Sequence, residues 1–123
     1  YIPSRDYIEL PYSAAFPDIQ EYYSTAFHEL AHWTGAKHRL DREFGSRFGN
    51  AAYAAEELVA EMSAAFTAAR FGFSTEIRHA EYLATWLKLM RADARAIVTA
   101  ASKASKASDY LRAIQPEALT EAA

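Results

Sequence analysis

His28-Glu29-Leu30-Ala31-His32 reads H-E-x-x-H. In a helix, residues four apart share a face, so His28 and His32 project side by side, separated by about 6 Å of rise. Two imidazole nitrogens so placed can hold one Zn²⁺ at roughly 2.0–2.1 Å each. Glu29 stands one step round from His28, close enough to hold a water on the metal without being a ligand itself. Two ligands and one base are the parts of metal-dependent peptide hydrolysis. The bland alternative is a solvated helix face, and the flanking residues argue against it. Ile19, Tyr22, Tyr23, Ala26, Phe27, Leu30 and Trp33 form a wide apolar stripe at helical spacing. The motif is therefore expected within a helix that packs into a core.

The chain has 123 residues, enough for one domain with a real core but not for two. Hydrophobic residues make up 51% and charged residues 24%, the balance of a globular domain rather than a disordered one. A net charge of −3 gives no bulk basic excess for nucleic acid. With no Cys, disulfides and thiolate zinc sites are excluded. There is no apolar run of membrane-spanning length and no signal peptide, so no membrane partner is expected. The chain opens Tyr1-Ile2-Pro3 without an initiator Met, which reads as a piece of a longer protein.

Working outward, Tyr1-Ile2 and Tyr7-Ile8-Glu9-Leu10 flank the turn-rich Pro3-Ser4-Arg5-Asp6, a pattern that predicts a β-hairpin closed off by Pro11. A strand at such a position either covers the core or offers an edge to an extended peptide. Helix one should start at Pro17-Asp18, with Asp18 as cap, and stop at Gly35. The segment from Ala36 to Asn50 reads as a loop; Lys37, His38, Arg39, Arg42 and Arg47 make it locally positive, beside Asp41 and Glu43. That loop is either simply solvated or a contact for substrate or nucleic acid.

Helix two should run from about Ala51 to Phe71 and end at Gly72. It is rich in Ala, Leu, Val, Met and Phe yet carries Glu56, Glu57 and Glu61, and buried acids need a partner or a metal. Helix three is expected over Glu76 to about Arg91, capped by Ser74 or Thr75, with His79, Tyr82, Leu83, Trp86, Leu87 and Met90 as its stripe. Asp93 can cap a fourth helix with Ile97, Ala101, Ala104, Ser108 and Leu111 on one face. From Pro116 onward the tail, residues 116–123, should fray, leaving 1–115 as the domain. The fold class expected is α+β, mainly α: a β-hairpin followed by about four helices.

A catalytic zinc site takes three protein ligands and keeps an open position. Two residues compete for the third place. His38 completes H-E-x-x-H-x-x-G-x-x-H, the metzincin spacing, but that class also needs a Met-containing turn, and Met62 and Met90 both fall in helical stretches. Glu57 lies on helix two, four residues before Glu61, so the two acids share a face. One can ligate while the other accepts a hydrogen bond from a ligand His and fixes its tautomer. Ligand chemistry favours Glu57 as the ligand and Glu61 as the outer partner. Glu56, one step off that face, reads as a partner of solvent or an Arg. Glu29 would be the general base, and His79, Tyr53 or Tyr82 could stabilise the oxyanion, His79 being the best placed of the three.

Several blocks together resemble a known family. They are Tyr22-Tyr23-Ser24-Thr25-Ala26-Phe27-His28-Glu29-Leu30-Ala31-His32-Trp33-Thr34-Gly35 followed by Arg39-Leu40; Pro3-Ser4-Arg5-Asp6; Glu56-Glu57-Leu58-Val59-Ala60-Glu61; His79 with Tyr82 and Trp86; and Ala101-Ser102-Lys103-Ala104. Taken in chain order they resemble the zincin-like domain of ArdC-type antirestriction proteins and plasmid TraC-type primases, over nearly the whole chain from Tyr1 to about Leu111. The resemblance implies a gluzincin-like metallopeptidase fold with a His28, His32, Glu57 metal site. It also implies carriage on plasmids or phages, the bacterial cytoplasm as location, and protection of incoming DNA from restriction. The partners implied are a peptide or protein substrate, with single-stranded DNA bound by a separate N-terminal domain. His38 stands where the resemblance leads one to expect a small polar residue. A rival from another class is a non-catalytic, metal-stabilised module that blocks restriction by binding protein or DNA.

Overall fold

The structure is a computed structural model that describes residues 1–44, 49–73 and 82–114. Four α-helices carry it: α1 (Ile19–Thr34), α2 (Ala52–Arg70), α3 (Leu83–Ala92) and α4 (Ala96–Ala113). Helix α2 is the axis of the fold, packed along its length against α1 on one side and α4 on the other, with α3 across its first half. Among the described residues no helix is long and apolar enough to cross a membrane.

The start of α1 follows local chemistry; α2, α3 and α4 begin without a side-chain cap, and α4 has Arg95 at its N-cap rather than the expected Asp93. The Asp18 side chain accepts from the Glu21 backbone N–H at 2.8 Å, satisfying one of the orphan donors of the first turn of α1. Asp93 takes an extended conformation that ends α3, and its side chain accepts from the Arg95 N–H at 2.9 Å as the chain turns into α4. The expected start of helix three at Glu76, and its Ser74 or Thr75 cap, lie outside the described residues, as do Arg47 and the tail from Pro116.

The core is built largely from small residues. Ala54, Leu58 and Val59 of α2 meet Trp86 of α3 and Ala100 and Ala104 of α4; a second cluster joins Ala55, Leu89 and Ala96. Trp86 donates its indole N–H to the Ala54 carbonyl at 2.7 Å, so the one large side chain there leaves no polar atom stranded. Deeper along the pair, Thr67 donates to Ser108 at 3.0 Å in a buried contact between α2 and α4.

Three expectations change. No β-hairpin forms: among the described residues there is one isolated antiparallel bridge, Ile2 to Tyr7, and no strand. The Ile2 carbonyl is taken by the N–H groups of Arg5 and Asp6, and Pro3 has no N–H to give, so the segment closes as a turn rather than a ladder. Asp6 sits in the left-handed region at φ 54°, which Asp tolerates better than most residues.

The buried face of α4 is Ala96, Ala100, Ala104, Ala107 and Ser108, while Ile97 is exposed. Helices α2 and α4 approach so closely that methyl groups fill the seam and Ile97 is turned outward. The aromatic stripe of α1 is not its inner face either. Ser24, His28, Ala31 and Thr34 are buried against α2, and the aromatics lie on the flank, where Phe27 stacks on Phe71 and Phe73 at 5.6 and 6.0 Å. The motif histidine thus lies deeper than the apolar stripe that predicted its helix.

Candidate metal centre

Helix α1 carries His28 and His32 one turn apart on the face that meets α2, and α2 answers with Glu56, Glu57 and Glu61. The two Nε2 atoms are 3.1 Å apart. Glu57 reaches both, with Oε2 3.3 Å from His28 Nε2 and Oε1 3.2 Å from His32 Nε2. A tetrahedral ion with bonds of about 2.0–2.1 Å spaces its ligands about 3.3 Å apart. The three donors therefore already stand at the separations one ion imposes, and they form the group of potential ligands found among the described residues. Two imidazoles and a carboxylate are also the donor types that suit Zn²⁺.

The outer nitrogens are partnered as well. His28 Nδ1 lies 3.2 Å from Glu61 Oε1, and His32 Nδ1 lies 3.1 Å from Glu56 Oε1. With both Nδ1 atoms facing carboxylates, both Nε2 atoms are left to face the common centre. Glu56 is the residue that the sequence did not single out for the site. Its expected Arg partner is present, since Arg42 bonds both of its oxygens at 2.8 and 2.5 Å, but the same carboxylate also serves His32. The signal was the count: one ligand and two outer partners require three acids, and α2 supplies three.

Electrostatics follow from this packing without an ion. Burial alone would push the His28 imidazole down, but hydrogen bonds to Glu57 and Glu61 outweigh it and hold the pKa up at about 9. His32 is raised against its burial in the same way, by Glu56 and Glu57. Burial would raise Glu57, yet its two histidine partners keep it far below the usual carboxylate range.

The remaining candidates separate. Glu29 is half-buried at the start of the same turn, one residue after His28. Tyr1 lines a cleft of about 590 Å³ together with His32, Glu56, Glu57, His38 and Tyr53. Tyr53 is exposed on that cleft, whereas Tyr82 stacks on Trp86 at 5.9 Å and belongs to the core. His38 also lines the cleft, but its Nε2 lies 3.0 Å from Asp6 and its side chain is 63% exposed, so it does not join the cluster. His79 lies outside the described residues.

Two cations of the positive loop, Arg39 and Arg42, are committed to internal contacts. Arg39 bonds Asp6 and the Trp33 carbonyl while lying 3.8 Å above the Trp33 ring, and Arg42 is bound to Glu56. That accounts for two of the cations that had suggested a substrate or nucleic-acid contact.

A family model described as zincin-like metallopeptidase, MPTase-PolyVal, matches residues 1–103. The chain belongs to this family. Among solved structures it is similar to the antirestriction protein ArdC from the R388 plasmid, at 42% identity and a TM-score of 0.81, covering 91% of this chain and 41% of that one. ArdC is described in a metal-free and in a Mn(II)-bound state. The uncharacterized protein y4eC of Sinorhizobium fredii (strain NBRC 101917 / NGR234) is 48% identical over 120 residues, 96% of this chain and 39% of its own length. DNA primase TraC of Escherichia coli is 39% identical over 122 residues, 98% of this chain and 12% of its own. The chain therefore spans well under half the length of the relatives it matches.

Proposed function

We propose that this chain is a metal-dependent peptide hydrolase domain in which His28, His32 and Glu57 hold a Zn²⁺ ion. The observation that carries the reading is the convergence of three ligand-type atoms at the spacing one ion requires. When bound, a divalent ion there supplies a Lewis acid that polarises a carbonyl and makes water acidic enough to attack. Zn²⁺ is preferred on donor chemistry, and Mn²⁺ is an alternative that the Mn(II)-bound state of ArdC makes reasonable. Glu29 takes the proton of the attacking water and returns it to the leaving amine. Tyr53, which lines the cleft, would donate to the oxyanion. The cleft beside Tyr1, Ala36 and Tyr53 would take an extended peptide or a protein loop.

The similarity to ArdC of the R388 plasmid supports an antirestriction role on a mobile element, and the bacterial cytoplasm is the location that goes with this reading. Single-stranded DNA would be bound by another part of a longer protein. Glu29→Gln separates hydrolysis from mere binding. The variant should keep its metal stoichiometry by elemental analysis and lose restriction protection in cells. Protection that survives the substitution would favour a module that acts by binding alone.

A further inference from the structure

Gly35 follows α1 as its C-cap with φ −76° and ψ −9°, a right-handed conformation open to any residue. The glycine is thus not required by the backbone. What it leaves room for is Arg42: a Cβ on Gly35 would lie 2.7 Å from Arg42 Nη2 and 2.9 Å from Cζ. The end of an Arg side chain can usually swing away, but this one is pinned. It donates to both Glu56 oxygens, to Thr34 Oγ1 at 3.0 Å and to the Ala31 carbonyl at 2.7 Å, and its side chain is 3% exposed. Every partner lies on α1 or α2, and Glu56 is the group that meets His32 Nδ1.

We propose that Arg42 is a positioning residue for the metal centre, which clamps the Glu56 carboxylate against His32 so that Nε2 faces the ion, and that Gly35 is glycine to admit it. The inference rests on the metal-site reading above. Three features give it content. The planar guanidinium matches the carboxylate with two parallel donors, which fixes the carboxylate plane as a single point charge would not. The bonds to the Ala31 carbonyl and Thr34 tie the clamp to the helix that carries His32. A His whose outer nitrogen is held by a fixed acceptor keeps one tautomer and one ring orientation, and loss of such a partner typically weakens metal affinity by about 10–100-fold.

Gly35→Ala allows a test that leaves the clamp residues themselves intact. Zn²⁺ and Mn²⁺ affinities would be measured by competition with a chelator for the wild-type chain, Arg42→Ala, Gly35→Ala and the double variant, each checked for helical content. The Co²⁺-loaded forms would be compared by their visible absorption, which reports ligand geometry. Arg42→Ala and Gly35→Ala should each weaken affinity by about 10–100-fold and alter the Co²⁺ spectrum, and the double variant should come close to Arg42→Ala, because without the arginine the added Cβ meets only the His32 carbonyl, at 3.2 Å. If Arg42→Ala fails to fold, Gly35→Ala and Glu56→Gln carry the same expectation. Affinity within twofold of wild type in Gly35→Ala, or losses that multiply in the double variant, would overturn the proposal. A wild-type chain that binds neither metal nor Co²⁺ would overturn the metal-site reading itself, and the clamp with it.

Discussion

Glu57 differs from Glu56 and Glu61 in where its oxygens go. Glu57 faces the inner nitrogens of both histidines, while its two neighbours face the outer ones. Removing each acid should therefore have a different effect. Glu57→Ala takes away a ligand and should abolish stoichiometric metal, whereas His38→Ala, which removes a partner of Asp6, should leave metal content unchanged. Elemental analysis of the two purified variants checks this, and the reverse outcome would put His38 in the site. Glu61→Gln should only weaken affinity, by about 10–100-fold in a chelator competition. Spacing made four of these residues candidates, His28 and His32 at i, i+4, and Glu57 and Glu61 at the same interval on the facing helix, but it also left His38 in competition with Glu57. Glu56 was not readable as a site residue, because a helix wheel places it off the ligand face. Only the structure shows that Arg42 and His32 converge on it.

The bounds of α1 were legible because caps and breakers act locally: Asp18 opens it and Gly35 closes it, whereas Asp93, expected to cap α4, instead ends α3 and leaves Arg95 at the N-cap. Helix faces were less legible, for a physical reason. Periodicity weights large apolar side chains, but the seam between α2 and α4 is lined by alanines and by Ser63, Thr67 and Ser108, residues whose small volume sets how closely the helices approach. Ile97, which the sequence places on the buried face, stands exposed, as does Val98. The seam should therefore be intolerant of size and the outer face tolerant. Ala104 is fully buried, so Ala104→Leu should cost about 1–3 kcal/mol by overpacking, while Val98→Ala should stay within about 0.5 kcal/mol. Urea titrations of both variants decide it. Equal losses would mean that the seam is looser than its burial indicates.

At the scale of the molecule, the metal centre is also a joint. Its donors come from α1 and α2, which meet face to face, so an ion would tie two elements that the unfolded chain holds apart. The hairpin expected beside this joint is instead a turn, yet the turn still reaches the site through Tyr1 and Pro3, which line the cleft. Helices α3 and α4 pack on α2 through Trp86, Leu89 and the alanine seam, without help from the site, so a stripped chain should keep its helical signal when cold and melt lower than the loaded one. The size of that difference depends on pH, and the sign can be worked out.

His28 faces Glu57 and His32 at its inner nitrogen and Glu61 at its outer one, and in the metal-free fold its pKa is raised to about 9 from an ordinary 6.5. A group raised on folding lends its full stabilisation below its unfolded pKa and loses it as pH rises through the folded value. The stripped chain should therefore grow less stable between pH 6.5 and about 9. An ion needs that nitrogen deprotonated, so the stability that metal adds should grow across the same window. Thermal melts with and without chelator should lie close together at pH 6 and separate as pH approaches 9. A separation that is constant with pH, with metal analysis showing that the chelator removed the ion, would mean that the histidine pair does not exchange its proton for the ion.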